Sequence, residues 1–270
     1  MIGLTLRVAR ETRTAAILFV VGMSAVLGAL TLVIPQILDG MESIWEQMPF
    51  IRQFVAGLLG VNMDEELTGE ITQAFLWVHP APLALLWAIA IMHGTRLPAG
   101  EIDRGTIDLL LGLPVKRSQA YLAETIVVLA VMALTLVTGA LTHVICGAIV
   151  AADFTPSIGD LARIIVNFFA IGAAVAGLAF FVSSLCERRG VAVGIAFAIV
   201  LFSFIINFIA QFWEAAEPIA FLSLLTYYRP AAIVRDHTWP LAHLITLGGI
   251  ALIAWLAGLA IFARRDISVT

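Results

Sequence analysis

Charged residues fall along this chain in bursts, separated by long runs that carry none. The uncharged runs are Thr14–Leu38, Ile71–Thr95, Thr125–Ala152, Ile164–Cys186, Gly190–Trp213 and His237–Ala263, of 25, 25, 28, 23, 24 and 27 residues. About 20 apolar residues in an α-helix cross the hydrocarbon core of a bilayer, so each run is long enough. Shorter uncharged stretches such as Gln53–Met63 and Pro218–Tyr228 are not. The pattern predicts an all-α integral membrane protein with six transmembrane helices, approximately over 15–38, 72–96, 118–150, 163–186, 190–212 and 240–263. They form a single membrane domain over 1–270, with no linker or low-complexity tract.

Composition agrees: 13% of the residues are charged, against about 25% in an average soluble domain. The distribution of charge adds an orientation. Six spans put both termini on one face, and that face carries 11 of the 15 Lys and Arg residues, among them Arg7, Arg10, Arg13, Arg96, Arg104, Lys116 and Arg117. The opposite face holds Arg52, Arg163, Arg229 and Arg235 with twelve of the nineteen carboxylates. The positive-inside rule therefore places both termini in the cytoplasm of a multi-pass cell-membrane protein. The net charge of −4 averages a basic face and an acidic one. Two cysteines, Cys146 and Cys186, lie toward opposite membrane faces and are not expected to pair. The first apolar run is too long for a cleavable signal and reads as a retained anchor.

Between the spans the patterning is finer. Met1–Arg13 interleaves Leu4, Leu6 and Val8 with Arg7, Arg10 and Arg13 and predicts a short amphipathic helix on the membrane surface. The external loop 39–70 is acidic, and Ile44, Trp45, Met48, Ile51 and Val55 suggest an interfacial helix interrupted near Pro49. "HPAP" at His79–Pro82 predicts a kink or a late helix start in the second span. The fourth and fifth spans are joined by "ERRG", a tight hairpin, and Glu214–Asp236 reads as an interfacial or re-entrant helix. Gly172, Ala173, Ala176 and Gly177 offer a close-packing face, inside the monomer or between two copies.

The loop 97–117, "LPAGEIDRGTIDLLLGLPVKR", is the richest in signals. A helix over Glu101–Leu113 would place Ile102, Thr106, Leu109, Leu110 and Leu113 on one face. Arg104 and Asp108 are spaced for an i,i+4 pair. Pro98 and Gly100 punctuate the start and Pro114 the end. Such a helix either rests on lipid or fills a groove on a cytoplasmic partner.

These residues resemble the GE-x-x-x-GT-x-x-LLL-x-x-P-x-x-R signature of ABC-2 type transporter permeases. Gly100, Glu101, Gly105, Thr106, Leu109, Leu110, Leu111, Pro114 and Arg117 match it position by position. "YYRPAAI" before the last span and the closing "F-x-RRD" agree with the same family; Glu124 departs from it, where a Lys is common. The resemblance implies the membrane subunit of an ABC exporter. A second permease, identical or homologous, would pair with it, and a separate cytoplasmic ABC ATPase would dock on a coupling helix. That helix would comprise Glu101, Ile102, Gly105, Thr106, Leu109, Leu110, Leu113 and Pro114. The N-terminal segment corresponds to the family's elbow helix.

The residues support a separate motor. A phosphate-binding loop needs G-x-x-x-x-G-K-[ST], and the one lysine, Lys116 in "LPVKRS", lacks that context. No enzyme activity is expected of this chain and no cofactor on it: ATP and Mg belong to the partner ATPase. No nucleic-acid partner is indicated beyond the lipid bilayer and the protein subunits. Neutral polar residues inside the spans, Asn167, Ser183, Ser184, Asn207 and Gln211, are weighed more as helix–helix hydrogen bonds than as substrate contacts. Of these, Asn167, Ser183, Asn207 and Gln211 are the substrate-path candidates. His79, His143, Cys146, His237 and His243 fall toward the outer half without the ligand spacing of a metal site, and no metal is expected. The alternative to a permease is an ATPase-independent scaffold or secondary carrier. Topology is directly testable: an alkaline phosphatase fused after Thr270 should be inactive, and one inserted at Val61 active. The opposite result would reverse the orientation.

Overall fold

The computed structural model describes residues 1–47, 69–112, 114–150 and 156–266, and among these every regular element is helical. The long helices are α1 (Ile2–Gln47), α6 (Arg117–Val150), α7 (Ile158–Leu185), α8 (Arg189–Phe212) and α10 (Leu241–Arg264). The second span is a pair, α2 (Gly69–Val78) and α3 (Pro80–Gly94). Shorter helices are α4 (Glu101–Asp103), α5 (Ile107–Leu111) and α9 (Pro230–Asp236). Six helical stretches are long and apolar enough to cross a membrane, in the order expected.

The break in the second span falls at His79, the N-cap of α3, whose Nδ1 accepts the Ala81 amide at 3.2 Å. Pro80 and Pro82 cannot donate to the preceding turn, so the helix restarts there. The fourth and fifth spans meet through Cys186–Arg188 alone. Both cysteines are free.

Helix α7 is the central wall. It packs along α10, against α3 and against α6, while α1 lies along α6. Glycines set the closest approaches. A Cβ on Gly177 would lie 2.5 Å from the Ala251 carbonyl oxygen, and one on Gly258 2.9 Å from the Phe181 Cα. A Cβ on Gly172 would meet Met132 and Leu86. In lipid such close van der Waals contact replaces the hydrophobic effect as the cohesive force. The small-residue face of α7 thus packs within the chain.

Two expectations change. The amphipathic segment 1–13 is no separate surface helix, since α1 runs unbroken from Ile2 to Gln47. No glycine or proline interrupts residues 4–21, and Val8, 4% exposed, packs on protein. The Glu11 carboxylate, bonded to Arg7 at 2.7 Å, reaches Arg96 at the end of the second span. The same helix extends into what was expected as the loop 39–70; the interruption near Pro49 lies outside the described residues.

Glu214–Asp236 is also no single helix. It forms two 3-10 segments, Glu214–Leu222 and Leu224–Tyr227, followed by α9, all folded back over α7 and α8. Ser223 Oγ donates to the Ser203 carbonyl at 2.7 Å, and the Leu224 amide donates to Ser203 Oγ at 2.8 Å. Tyr228, stacked on Phe168, donates its hydroxyl to the Trp77 carbonyl at 2.9 Å. Burial pushes the Tyr228 phenol well above its ordinary pKa, so it stays a donor.

The Gly177–Ala251 contact involves backbone, which cannot move aside as a side-chain tip can. Gly177→Val should therefore destabilise the folded chain by at least ~2 kcal/mol, measured by thermal unfolding in detergent. Gly248→Ala, where a Cβ meets nothing within 4 Å, should leave the transition unchanged or slightly raised.

Candidate functional site

The face that carries both chain ends is built around the connection from α3 to α6. At the end of α3 the chain turns sharply. Leu97 is extended (φ −126°, ψ 132°), the conformation favoured for the residue before a proline. Leu97 and Ala99 are buried, and the Ala99 amide donates to Ser183 Oγ of α7 at 3.1 Å. Gly94 abuts Ala179, and Gly100 abuts the Arg189 side chain. The root of the loop is wedged against α7 and α8.

Glu101 follows at 6% exposure. Its carboxylate accepts Arg104 Nη2 at 2.5 Å and Thr106 Oγ1 at 2.5 Å, and its carbonyl accepts the Thr106 amide at 3.0 Å. A buried carboxylate requires such partners. They close the chain into a tight loop that Gly105 permits, its φ of +65° lying in the left-handed region. The expected continuous helix over Glu101–Leu113 is therefore split into α4 and α5. Arg104 pairs with Glu101, not with Asp108.

The docking candidates separate accordingly. Glu101 is internal; Ile102 and Thr106 are half-buried, Ile102 against the core. Gly105 and Pro114 are exposed. Leu109 projects with 75% of its surface exposed. The side chains of Leu110 and Leu113 lie outside the described residues.

Several side chains on this face, known from the sequence only as charges or signature positions, make long-range contacts. Arg96, 8% exposed, bridges Glu11 of α1 and Glu124 of α6, the latter at 3.5 Å. Glu124, the departure from the signature, is thus an internal counter-charge. Arg117 Nη1 donates to the carbonyls of Phe262 (3.0 Å) and Arg265 (2.6 Å). Arg265 in turn donates to the Ser184 and Cys186 carbonyls at 3.0 and 3.1 Å. These arginines satisfy carbonyls that helix ends leave free. For Arg96 and Arg265 the signal available was position, each lying at the end of an uncharged run.

On the opposite face, Asn207 and Gln211 of α8 line a cavity of about 230 Å³ beneath the folded-back segment, with Glu217, Thr226, Tyr228 and Arg229. Asn167 and Ser183 are elsewhere and fully buried, Asn167 donating to the Tyr227 carbonyl at 3.1 Å. Two of the histidines bond to protein side chains: Trp77 Nε1 donates to His143 Nδ1 at 3.2 Å, and His237 Nδ1 lies 2.8 Å from Asp160. Among the described residues no three His, Cys, Asp or Glu converge on a metal-sized site.

Comparison with known families decides between a permease and an unrelated six-span protein. The family model described as ABC-2 family transporter protein matches residues 15–267, nearly the whole chain. The chain belongs to the ABC-2 transporter family. No curated protein matches it. As an ABC-2 permease it is a multi-pass membrane component of a transporter, and the wedged loop between its second and third spans carries the residues of the resemblance.

Gly105 isolates one backbone constraint, because a Cβ there meets nothing within 4 Å. Gly105→Val should cost ~1–2 kcal/mol of local stability and speed amide exchange over residues 101–112 by roughly 5- to 30-fold. Exchange in α7 should not change.

Proposed function

We propose that this permease exports a substrate across the cytoplasmic membrane, with both termini in the cytoplasm and a separate ABC ATPase supplying the work. A second permease, identical or homologous, completes the pathway, and ATP and Mg act on the ATPase. The docking element is the tip of the loop, where Gly105, Asp108, Leu109 and Pro114 are exposed, with Leu109 as its anchor. The observation that supports this most is the pairing of a buried root with a bare tip. An exposed leucine on a fixed loop suits a groove on a partner, whereas a segment resting on lipid needs no wedged root. Glu101 and Thr106 shape the loop and do not touch the partner. Asn207 and Gln211 are the substrate-path candidates, since both line the cavity beneath the folded-back segment.

Leu109→Glu places a charge in the proposed groove while leaving the packed root intact. Detergent-solubilised wild-type protein, expressed in its source cells, should carry a P-loop ATPase on purification. The variant should lose at least 10-fold of it, with the thermal transition unchanged, as exposed substitutions are close to neutral. Retention of the ATPase by a folded variant would overturn the docking assignment.

A further inference from the structure

Beside the loop lies a second cavity, of about 420 Å³, between α1, α3, the loop and the start of α8. Its charged lining is Arg7, Arg96, Arg104 and Arg189 with Glu11 and Glu101. Two further carboxylates stand just behind this lining. Glu124 faces Arg96 at 3.5 Å, and Asp103 accepts the Arg189 backbone amide at 3.3 Å.

Hydrogen-bonding capacity says more than net charge. Each guanidinium offers five N–H donors and no acceptor. Among the described residues, Arg104 donates from its side chain only to Glu101, and Arg189 only to the Met92 carbonyl at 2.9 Å. Arg189 Nε is buried with no hydrogen-bond partner. His93, 3% exposed, lines the same cavity, and its Nδ1 is likewise without a partner. The cavity therefore presents a surplus of donors around a space large enough for a multi-oxygen anion. Arginine's planar fork matches phosphate oxygens in paired hydrogen bonds.

Depth identifies the source of the anion. Ala15 and Met92, which also line the cavity, lie inside the uncharged runs of the first and second spans. Arg96 and Arg189 lie immediately outside uncharged runs, and Arg7 and Arg104 lie farther out in the charged segments that flank them. The cavity straddles the boundary between hydrocarbon and charge, the depth of lipid phosphates. Met92 is 42% exposed and offers an apolar wall to an acyl chain. Basic pockets between the ends of membrane helices are recognised lipid-headgroup sites.

We propose that this cavity binds the phosphate of an anionic phospholipid headgroup, held chiefly by Arg104 and Arg189. The bound phosphate ties the loop to α8 and, through Arg7 and Arg96, to α1. The orientation argued above matters only for which leaflet supplies the lipid. No ATPase is involved, so failure here leaves the permease assignment untouched.

The test is native mass spectrometry of the purified chain, titrated in neutral detergent with phosphatidylglycerol, cardiolipin or phosphatidylcholine. Phosphatidylglycerol and cardiolipin should be retained at least 10-fold better than phosphatidylcholine. Arg104→Gln/Arg189→Gln should lower them to the phosphatidylcholine level, and Arg104→Lys/Arg189→Lys should restore part of the difference. Arg235→Gln, on the opposite face, should retain wild-type binding. A melting temperature equal to wild type identifies the variants as folded, and Arg104→Gln alone, at a half-exposed side chain, serves if the double variant unfolds. Equal retention of phosphatidylcholine, or undiminished binding by the folded Gln variants, would overturn the site. If inorganic phosphate alone raised the melting temperature in an Arg104- and Arg189-dependent way while no lipid was retained, the lipid assignment would fall in favour of a soluble phosphate.

Discussion

A guanidinium cannot shed its proton, so an arginine drawn into a membrane protein must be met by carboxylates or carbonyls wherever it lies. Arg96 imposes this requirement on the face that carries both chain ends. Placed at the last turn of the second span with little solvent around it, it gathers Glu11 from α1 and Glu124 from α6. Three helices that share no continuous sequence are held together at their charged ends by one cation. Arg117 and Arg265 repeat the device with backbone carbonyls, joining α6, the end of α7 and the end of α10.

Within the apolar layer the cohesion is different in kind. There α7 supplies glycines where α3, α6 and α10 come closest, and the contacts are backbone against backbone or backbone against methyl. On the far face the polar atoms return: the serine pair Ser203 and Ser223, the Asn167 amide and the Tyr228 hydroxyl stitch the folded-back segment onto α7, α8 and α2. The chain thus uses ionic ties at one face, steric fit in the middle and neutral hydrogen bonds at the other. Each suits its local solvent, since an unpartnered charge in hydrocarbon costs far more than an unpartnered methyl.

Much of this was legible in the charge-free runs, because span length is fixed by bilayer thickness and needs no knowledge of neighbours. The break at His79 was legible for the same reason, a proline being a local cause. What was not legible depended on contacts distant in sequence. Helical periodicity over Glu101–Leu113 ignores that Glu101 is enclosed and must find donors, which draws Arg104 back toward it and forces the turn at Gly105. The amphipathic look of residues 1–13 could not reveal that Val8, with Leu4 beside it, packs on protein instead of lipid, since both are apolar solvents. The folded-back segment before the last span was readable as semi-apolar, but its division into three short helices follows from bonds to Ser203 and Trp77.

The unbroken course of α1 has a mechanical consequence. Between Glu11 and Gln36 the helix rises about 38 Å without a glycine hinge near the tie to Arg96. A rod gripped at one end transmits rotation rather than absorbing it. Pivoting about the Glu11–Arg96 contact by about 10° would sweep the far end through about 7 Å. A displacement at the Glu11–Arg96 contact would therefore be carried along α1, and enlarged with distance from that contact.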